Sequence, residues 1–353
     1  MEASRESSDG YRFVRYDPVH KPGIARLQRH LWSPDEALNL AYFSWKHEAN
    51  PYVSAPQVYL ALFHDEPVAM RAHMGSCWEA GELQKPQLLF SLGDLVVAPE
   101  HRRRGLTTRL RHAALPELAG SGMPYLVTLS AWITRESMLR AGWRTPGPLL
   151  ALRRPRRGER GKDWEPFRSL DAQFLDSGPS PEGLSVTASP RGPAMADLVR
   201  RLDSDGRIRH VRDETYFAWR FGNPRRAYRF VHLGGERLEA YLVLQTRLGG
   251  GIDRVRILDW EGETAAARRA LLLGALERIG DSVEIVVSAF RDSDRAALQA
   301  AGFIEQRDRT VKDAETVPMV YRVDRSDPPW LLGGLDLLEL SNWDHRSLYS
   351  DGH

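Results

Sequence analysis

Cysteine is nearly absent from these 353 residues: Cys77 stands alone, which excludes an internal disulfide and fits a reducing compartment. Lysine is scarce too. Of 49 basic residues only Lys21, Lys46, Lys85, Lys162 and Lys312 are lysines, a bias that suits a GC-rich genome better than a function. A formal net charge of +2 gives no bulk attraction to nucleic acid or to an anionic membrane. Long apolar runs are missing: stretches such as Ala270–Ala275 are too short to span a bilayer. Met1–Gly10 is polar and carries no secretory pattern. No His, Cys or acid cluster has metal-ligand spacing. The expectation is a soluble, cytoplasmic protein without a resident metal.

What is present is organised around Phe90–Leu110, FSLGDLVVAPEHRRRGLTTRL. An apolar run containing Leu92, Leu95, Val96 and Val97 meets Pro99, passes three arginines and Gly105, and continues at helical spacing. That pattern predicts a strand, a tight basic turn and a helix start. Gly105 lets backbone approach a ligand closely. The N–H groups from Arg103 to Thr108 would be free first-turn donors at the positive end of a helix dipole, a place that binds phosphate. Arg102, Arg103 and Arg104 would add charge-assisted hydrogen bonds.

Val97-x-Pro99 followed by Arg102-x-x-Gly105-x-Thr107 resembles the acyl-CoA pyrophosphate loop of the GNAT (Gcn5-related N-acetyltransferase) superfamily. Thr107 replaces the usual second small residue. The surrounding VAPEHRRRGLTTRL is most similar to the enhanced-intracellular-survival type, which carries tandem GNAT domains. The resemblance implies an α/β (α+β) fold of two GNAT-like domains, each a mixed central sheet flanked by helices. It implies acetyl-CoA, or another acyl-CoA, as co-substrate, held by Leu95, Val96, Val97, Arg102, Arg103, Arg104, Gly105, Leu106, Thr107, Thr108 and Ser130.

The chain order agrees. Tyr11–Tyr16 reads as a strand, Lys21–Leu31 as a helix, and Ser33-Pro34-Asp35-Glu36 opens a second helix that Asn50-Pro51 stops. Gln57–Phe63 and Pro67–Met74 read as a hairpin across His64-Asp65-Glu66. After the helix that follows Gly105, Tyr125–Leu129 reads as a strand, Thr134–Ala141 as a helix ended by Gly142-Trp143, and Leu149–Leu152 as a returning strand. From Arg153 to Pro190 the character changes: RRPRRGERGK is basic and broken by Gly and Pro, and Asp176–Gly183 is rich in Ser, Gly and Pro. No aromatic interleaves the arginines of that basic run, so a solvated linker is expected and nucleic-acid binding is not.

Then the plan repeats. Tyr42-Phe43-x-Trp45-Lys46 matches Tyr216-Phe217-x-Trp219-Arg220 at an offset of 174 residues, and both lead to Asn-Pro. Since both copies keep the Trp, core packing explains it better than ligand binding does. Arg229–Leu233, Leu238–Gln245, Arg254–Trp260, Thr264–Ile279, Val283–Ala289 and Ser293–Ala300 follow as the second set of elements, with Gly302-Phe303 answering Gly142-Trp143. The expected division is a GNAT domain with an intact loop over 1–152, a linker over 153–184, and a degenerate second domain over 185–353. Its loop, Asp259-Trp260-Glu261-Gly262-Glu263, lacks Arg-x-x-Gly and is expected to set Glu261 and Glu263 where a pyrophosphate would lie, repelling it.

Acyl transfer to an amine needs a donor to the thioester oxygen, a base, an acid and exclusion of water. The resemblance gives the first task to the Val97 backbone N–H and points to Asp94, on the same strand, as candidate base. Glu79, Glu82 and His73 are alternatives. The tyrosine that many relatives place four residues before the Gly-aromatic pair is Met138 here, which cannot donate a proton, and neighbouring Ser137 points elsewhere on the helix. Trp32, Trp78 and Trp132 could line an acceptor pocket. Cys77 lacks the context of a nucleophile.

The expected activity is direct transfer from acyl-CoA to a primary amine in a ternary complex. Aminoglycoside-like amines, amino sugars and protein lysines all fit as acceptors. The chain is short for the extra C-terminal domain of the enhanced-intracellular-survival type. Two rivals are a non-catalytic acyl-CoA sensor and an aminoacyl-tRNA-dependent transferase, the latter using Arg153–Lys162.

Overall fold

The computed structural model describes residues 9–83, 85–120, 122, 124–131, 134–157, 167, 171, 183–202, 204–247, 254–281, 283–287, 291–305, 316–323 and 330–349. In the first half, β1 (Tyr11–Arg15), β2 (Gln57–Phe63), β3 (Glu66–Glu79), β4 (Gln87–Val97) and β5 (Tyr125–Ala131) surround α1 (Lys21–Leu27), α2 (Glu36–Phe43), α3 (Leu106–Gly120) and α4 (Arg135–Arg140). The β2–β3 turn puts His64 and Asp65 at φ +50° and +62°, the left-handed pair that a two-residue hairpin requires. Asp35, rather than Ser33, caps α2 by accepting from the Ala37 and Leu38 amides. A π turn over Ser44–Glu48 then swings Trp45, Lys46 and His47 inward together.

The second half carries β7 (Leu184–Thr187), α5 (Gly192–Arg201), β8 (Arg209–His210), α6 (Glu214–Arg220), β9 (Arg226–Gly234), β10 (Leu238–Arg247), β11 (Arg254–Gly262), α7 (Ala265–Ile279), β12 (Glu284–Val287), α8 (Asp292–Ala300) and β13 (Ile304–Glu305). Two strands cross over. β6 (Leu152–Arg154), expected to complete the first sheet, instead pairs with β12 and β13 in the second. In return β14 (Thr316–Arg322) pairs along its length with β5 in the first. The sheet orders are β1-β2-β3-β4-β5-β14, with β8 on β3, and β13-β6-β12-β11-β10-β9-β7. Each sheet thus contains a strand from the other half, β14 at the edge of the first and β6 inside the second. Short β15 (Leu331–Leu332) and β16 (Leu335–Asp336) pair near the end of the chain.

One face of the first sheet packs under α3 through Ala61, Ala69, Leu126 and Met319 against Leu106, Leu110 and Ala114. A larger core, containing Trp45, Trp78, Trp219, Tyr241 and Trp343, joins the halves. No described helix is long and apolar enough to cross a membrane.

Candidate active site

β4 and β5 are parallel and meet at one register pair, Phe90 with Leu126. Thr128 Oγ1 still reaches the Leu92 carbonyl at 3.4 Å, and beyond it no pairing between the two strands is formed. β4 remains bonded to β3 on its other edge, through Met70–Val96 and Ala69–Val97, and the Ala98 amide donates to the Val68 carbonyl. Amides alternate in direction along a strand, so the Val97 N–H points away from β3 into the opened gap. The splay therefore presents an unpaired backbone donor beside Leu95 and Val97.

The chain leaves β4 through a 3₁₀ turn at Pro99–His101 and enters α3 at Leu106. Between them Arg103 and Gly105 take φ values of +63° and +70°. Nothing lies within 4 Å of where a Cβ on Gly105 would be, so the turn encloses open space. Leu106 and Leu110 anchor the helix in the core, while Thr107 and Thr108 face solvent. Arg102 Nε donates to the Val97 carbonyl at 3.2 Å. Among the described residues, no carboxylate pairs with Arg102, Arg103 or Arg104. Open space, first-turn amides and free guanidinium charge at one helix start make a receptor for a polyanion.

The second half is built differently at the corresponding place. β11 and β12 part after Arg256–Val286. The space beyond is filled by the chain's own residues 344–346. Arg346 Nη1 donates to Asp259 Oδ1 at 2.6 Å and to the Trp260 carbonyl at 3.2 Å, and its Nη2 lies 2.8 Å from Glu261. Arg212 reaches Asp259 at 3.1 Å and Glu261 at 2.7 Å, and Tyr241 donates to Asp259 at 2.6 Å. Glu261 is fully buried and also accepts from Arg291. Glu263 pairs with Arg201 and Arg237. The expectation that Glu261 and Glu263 face a phosphate site and repel the ligand is thereby corrected: the cleft is plugged by an ion-pair network. A Cβ on Gly262 would come within 2.9 Å of Ala240, in contrast to the emptiness around Gly105.

Asp94 sits at the irregularity where β3–β4 pairing shifts between Arg71 and His73. It is fully buried, with Lys46 Nζ at 2.6 Å, Gln28 Nε2 at 3.1 Å and His47 Nε2 at 3.3 Å. Burial alone would raise its pKa, but the Lys46 ammonium and the His47 hydrogen bond outweigh that and hold the carboxyl well below the usual range. A carboxylate so held is a poor proton acceptor. Its geometry is that of a brace tying the β4 irregularity to the π turn, a connection invisible while Lys46 is read only as part of a repeat.

Glu79 pairs with Arg209 across the halves, and Glu82 is exposed. His73 is fully buried, and burial with the Arg71 charge keeps it neutral. Met138 packs in the α3 core. Trp78 belongs to the core joining the halves and Trp32 packs against it. Trp132 and the Ser130 side chain lie outside the described residues, as does part of the Arg153–Lys162 run. Among the described residues no group of three His, Cys, Asp or Glu could hold a metal ion.

No family model matches this sequence, and no curated protein does. Solved structures do. A GCN5-related N-acetyltransferase from Anabaena variabilis superposes with a TM-score of 0.60 at 13% identity, over 89% of this chain and 73% of that one. A tandem GNAT protein from the clavulanic acid biosynthesis pathway gives 0.53 at 14%, over 90% and 100%. Eis1 from Mycobacterium abscessus gives 0.52 at 15%, over 89% and 73%. The chain has the tandem GNAT fold. Within that fold the open loop belongs to the first GNAT half, and the plugged cleft to the second.

Proposed function

We propose that this protein is an acyl-CoA-dependent N-acyltransferase, with acetyl-CoA the simplest donor and a primary amine the acceptor. The observation that carries the reading is the open, basic turn at the end of a splayed strand in one half, against a filled cleft in the other. Arg102, Arg103, Arg104 and the amides from Gly105 to Thr108 would hold the pyrophosphate. The acyl arm would lie along the open edge of Leu95–Val97, where the Val97 N–H donates to the thioester oxygen and stabilises charge as it develops. In the transfer a C–N bond forms and the C–S bond breaks. Two protons leave the nitrogen: one goes to solvent to free the amine's lone pair, and the other, lost after attack, goes to the departing thiolate.

Asp94 serves this reading as the group that fixes the strand irregularity, not as the proton acceptor first expected. Incubation of the protein with acetyl-CoA and a panel of amines, followed by free thiol release, tests the proposal. Release dependent on both substrates is expected.

A second reading, a non-catalytic acyl-CoA binding protein, is favoured by two observations: Met138 lies in the core, and Asp94 is locked in an ion pair. Tight acetyl-CoA binding with no thiol release across the panel would select it.

A further inference from the structure

A cavity of about 20 Å³ lies where β4 and β5 part, with Trp78, Ser91, Thr128, Trp343, His345 and Tyr349 in its lining. Phe90 and Leu126 form the register pair at which the gap begins, so Ser91 and Thr128 put the cavity at its closed end. Phe90 and Leu126 pack in the α3 core, whereas Leu89 and Val127, their neighbours in alternation, pack in the core that joins the halves. Val127 and Val320 of that second core line the cavity, which therefore sits on the face of the sheet away from α3.

Its roof comes from the second half. Ile208, just before β8, bridges Trp343 and accepts from the Asp344 amide at 3.0 Å, and Tyr349 stacks on His210 of β8 with ring centroids 4.1 Å apart. One segment thus plugs the second cleft with Asp344 and Arg346 and covers the first with Trp343, His345 and Tyr349.

Four polar groups of the lining find partners in the protein. Trp78 Nε1 donates to Ser76 Oγ at 3.0 Å, and Trp343 Nε1 to the Leu337 carbonyl at 3.1 Å. Ser91 Oγ and Thr128 Oγ1 donate to the Met74 and Leu92 carbonyls, each at 3.4 Å. Two groups do not: His345 Nε2 and the Tyr349 hydroxyl are buried without a hydrogen-bond partner, in residues only 8% and 5% exposed. Orphaned polar atoms are costly, so two beside one cavity mark a place for a group that pairs with them.

The chemistry of that group follows. Burial lowers the His345 pKa to about 3 and raises that of Tyr349, so both are uncharged at neutral pH. Among the described residues no charged side chain lines the cavity, and the acids that adjoin its lining in sequence are taken, Glu79 by Arg209 and Asp344 by Arg346. An ammonium or a carboxylate would enter without a counter-ion. An alkyl end would leave both orphans unpaired. A hydroxyl donates and accepts, which suits either tautomer of His345, and the space holds one water-sized group.

Leu92 and Val97 pair with His73 and Ala69 of β3, so the cavity lies roughly 13 Å along the sheet from the Val97 amide. An acetyl group whose thioester oxygen meets that amide does not reach it. An extended acceptor, its nitrogen at the thioester carbon, does.

We infer that this cavity holds the far end of the acceptor, and that the acceptor is an extended monoamine ending in an uncharged hydroxyl. This rests on the function proposed above and narrows its substrate class. It sets aside aminoglycoside-like amines, whose further ammonium groups would find no counter-ion here.

Calorimetry on the CoA-saturated protein with 8-aminooctan-1-ol, nonylamine and octane-1,8-diamine compares a hydroxyl, a methyl and an ammonium at the same distance from the reacting amine. The amino alcohol should bind about 10–100-fold more tightly than either of the others. Tyr349→Phe removes only an unpartnered hydroxyl, so it should fold as well as the wild type, and it should lose most of that advantage. Equal binding of the amino alcohol and nonylamine, or none of either, overturns the subsite, since water alone would then answer the two orphans. A preference for the diamine overturns it as well, as does an advantage that survives Tyr349→Phe. Decanoyl-CoA that binds more tightly than acetyl-CoA and excludes the amino alcohol would give the cavity to the donor instead. A wild type that binds no acetyl-CoA would refute the function on which the inference rests.

Discussion

Trp45 and Trp219 stack with ring centroids 5.5 Å apart and planes 17° from parallel, and each indole donates to the other's backbone carbonyl, at 2.8 and 2.9 Å. The contact is its own mirror in sequence, because the two residues occupy the same place in the repeated Tyr-Phe-x-Trp motif. With the exchange of β6 and β14 it describes a pseudo-two-fold relation between the halves. Replacing either Trp by Phe should cost about 1–3 kcal/mol, since a buried carbonyl loses its donor. In urea unfolding the double variant should cost less than the sum of the singles, because the rings stack on each other. Strict additivity would mean that the two contacts are independent.

The strand exchange makes a different forecast. A fragment ending at residue 152 lacks β14, leaving the β5 edge bare, and breaks the chain inside β6, after Leu152. It should be insoluble or unfolded by circular dichroism. Adding a fragment that covers the rest of the chain should restore a folded heterodimer. A stable, monomeric 1–152 fragment would contradict the exchange.

Much of this plan was legible in the sequence for identifiable reasons. The β4 run, Pro99, Gly105 and the following helix are local, and local chemistry dictates them. The repeat was visible because both copies of the Trp motif serve the same contact. Destination was not visible: Leu149–Leu152 reads as a strand, but nothing nearby says which sheet it joins. β14 went unnoticed because its short alternation gains meaning only beside β5. The roles of Asp94 and Glu261 depended on partners 48 and 49 residues away, which periodicity cannot report.

Asp94→Asn distinguishes a brace from a base. Removing the charge takes its carboxylate partner from the buried Lys46, so stability should fall by about 3–5 kcal/mol. Lys46→Met combined with Asp94→Asn should recover most of that loss. A base would show itself otherwise: unchanged unfolding, with turnover falling roughly 10²–10⁴-fold and recovering as pH rises. Urea unfolding beside pH-dependent kinetics separates the two outcomes.

Four histidines are buried neutral: His73 and His210 well below their ordinary pKa, His232 and His345 lowered to about 3, all chiefly by burial. The unfolded chain protonates them near pH 6.5 and the folded one does not, so the unfolded state binds more protons below that point. Stability should therefore fall as pH drops from about 6.5 toward 3, by about 1.4 kcal/mol per pH unit for each histidine. Asp259, lowered to about 2 mainly by Arg212 and Arg346, adds its loss only between about 3.8 and 2. Denaturation midpoints constant from pH 8 to 5 would contradict the assignment.

Gly105→Asp tests the loop at its emptiest point. Nothing in the folded protein lies within 4 Å of the new Cβ, so no clash with neighbours is expected. The φ of +70° costs a non-glycine residue roughly 1–2 kcal/mol, and Asp tolerates that region better than most. The fold should survive with a slightly lowered melting temperature. Acetyl-CoA binding should not, because a side chain and a negative charge both enter the space reserved for phosphate. Calorimetry on the wild type should give one acetyl-CoA per chain, the second cleft being filled by Arg346 and its partners. Gly105→Asn, alike in shape but uncharged, should retain weak binding and apportion the loss between bulk and charge. A full equivalent of acetyl-CoA bound to Gly105→Asp would place the cofactor elsewhere and remove the basis of the proposed function.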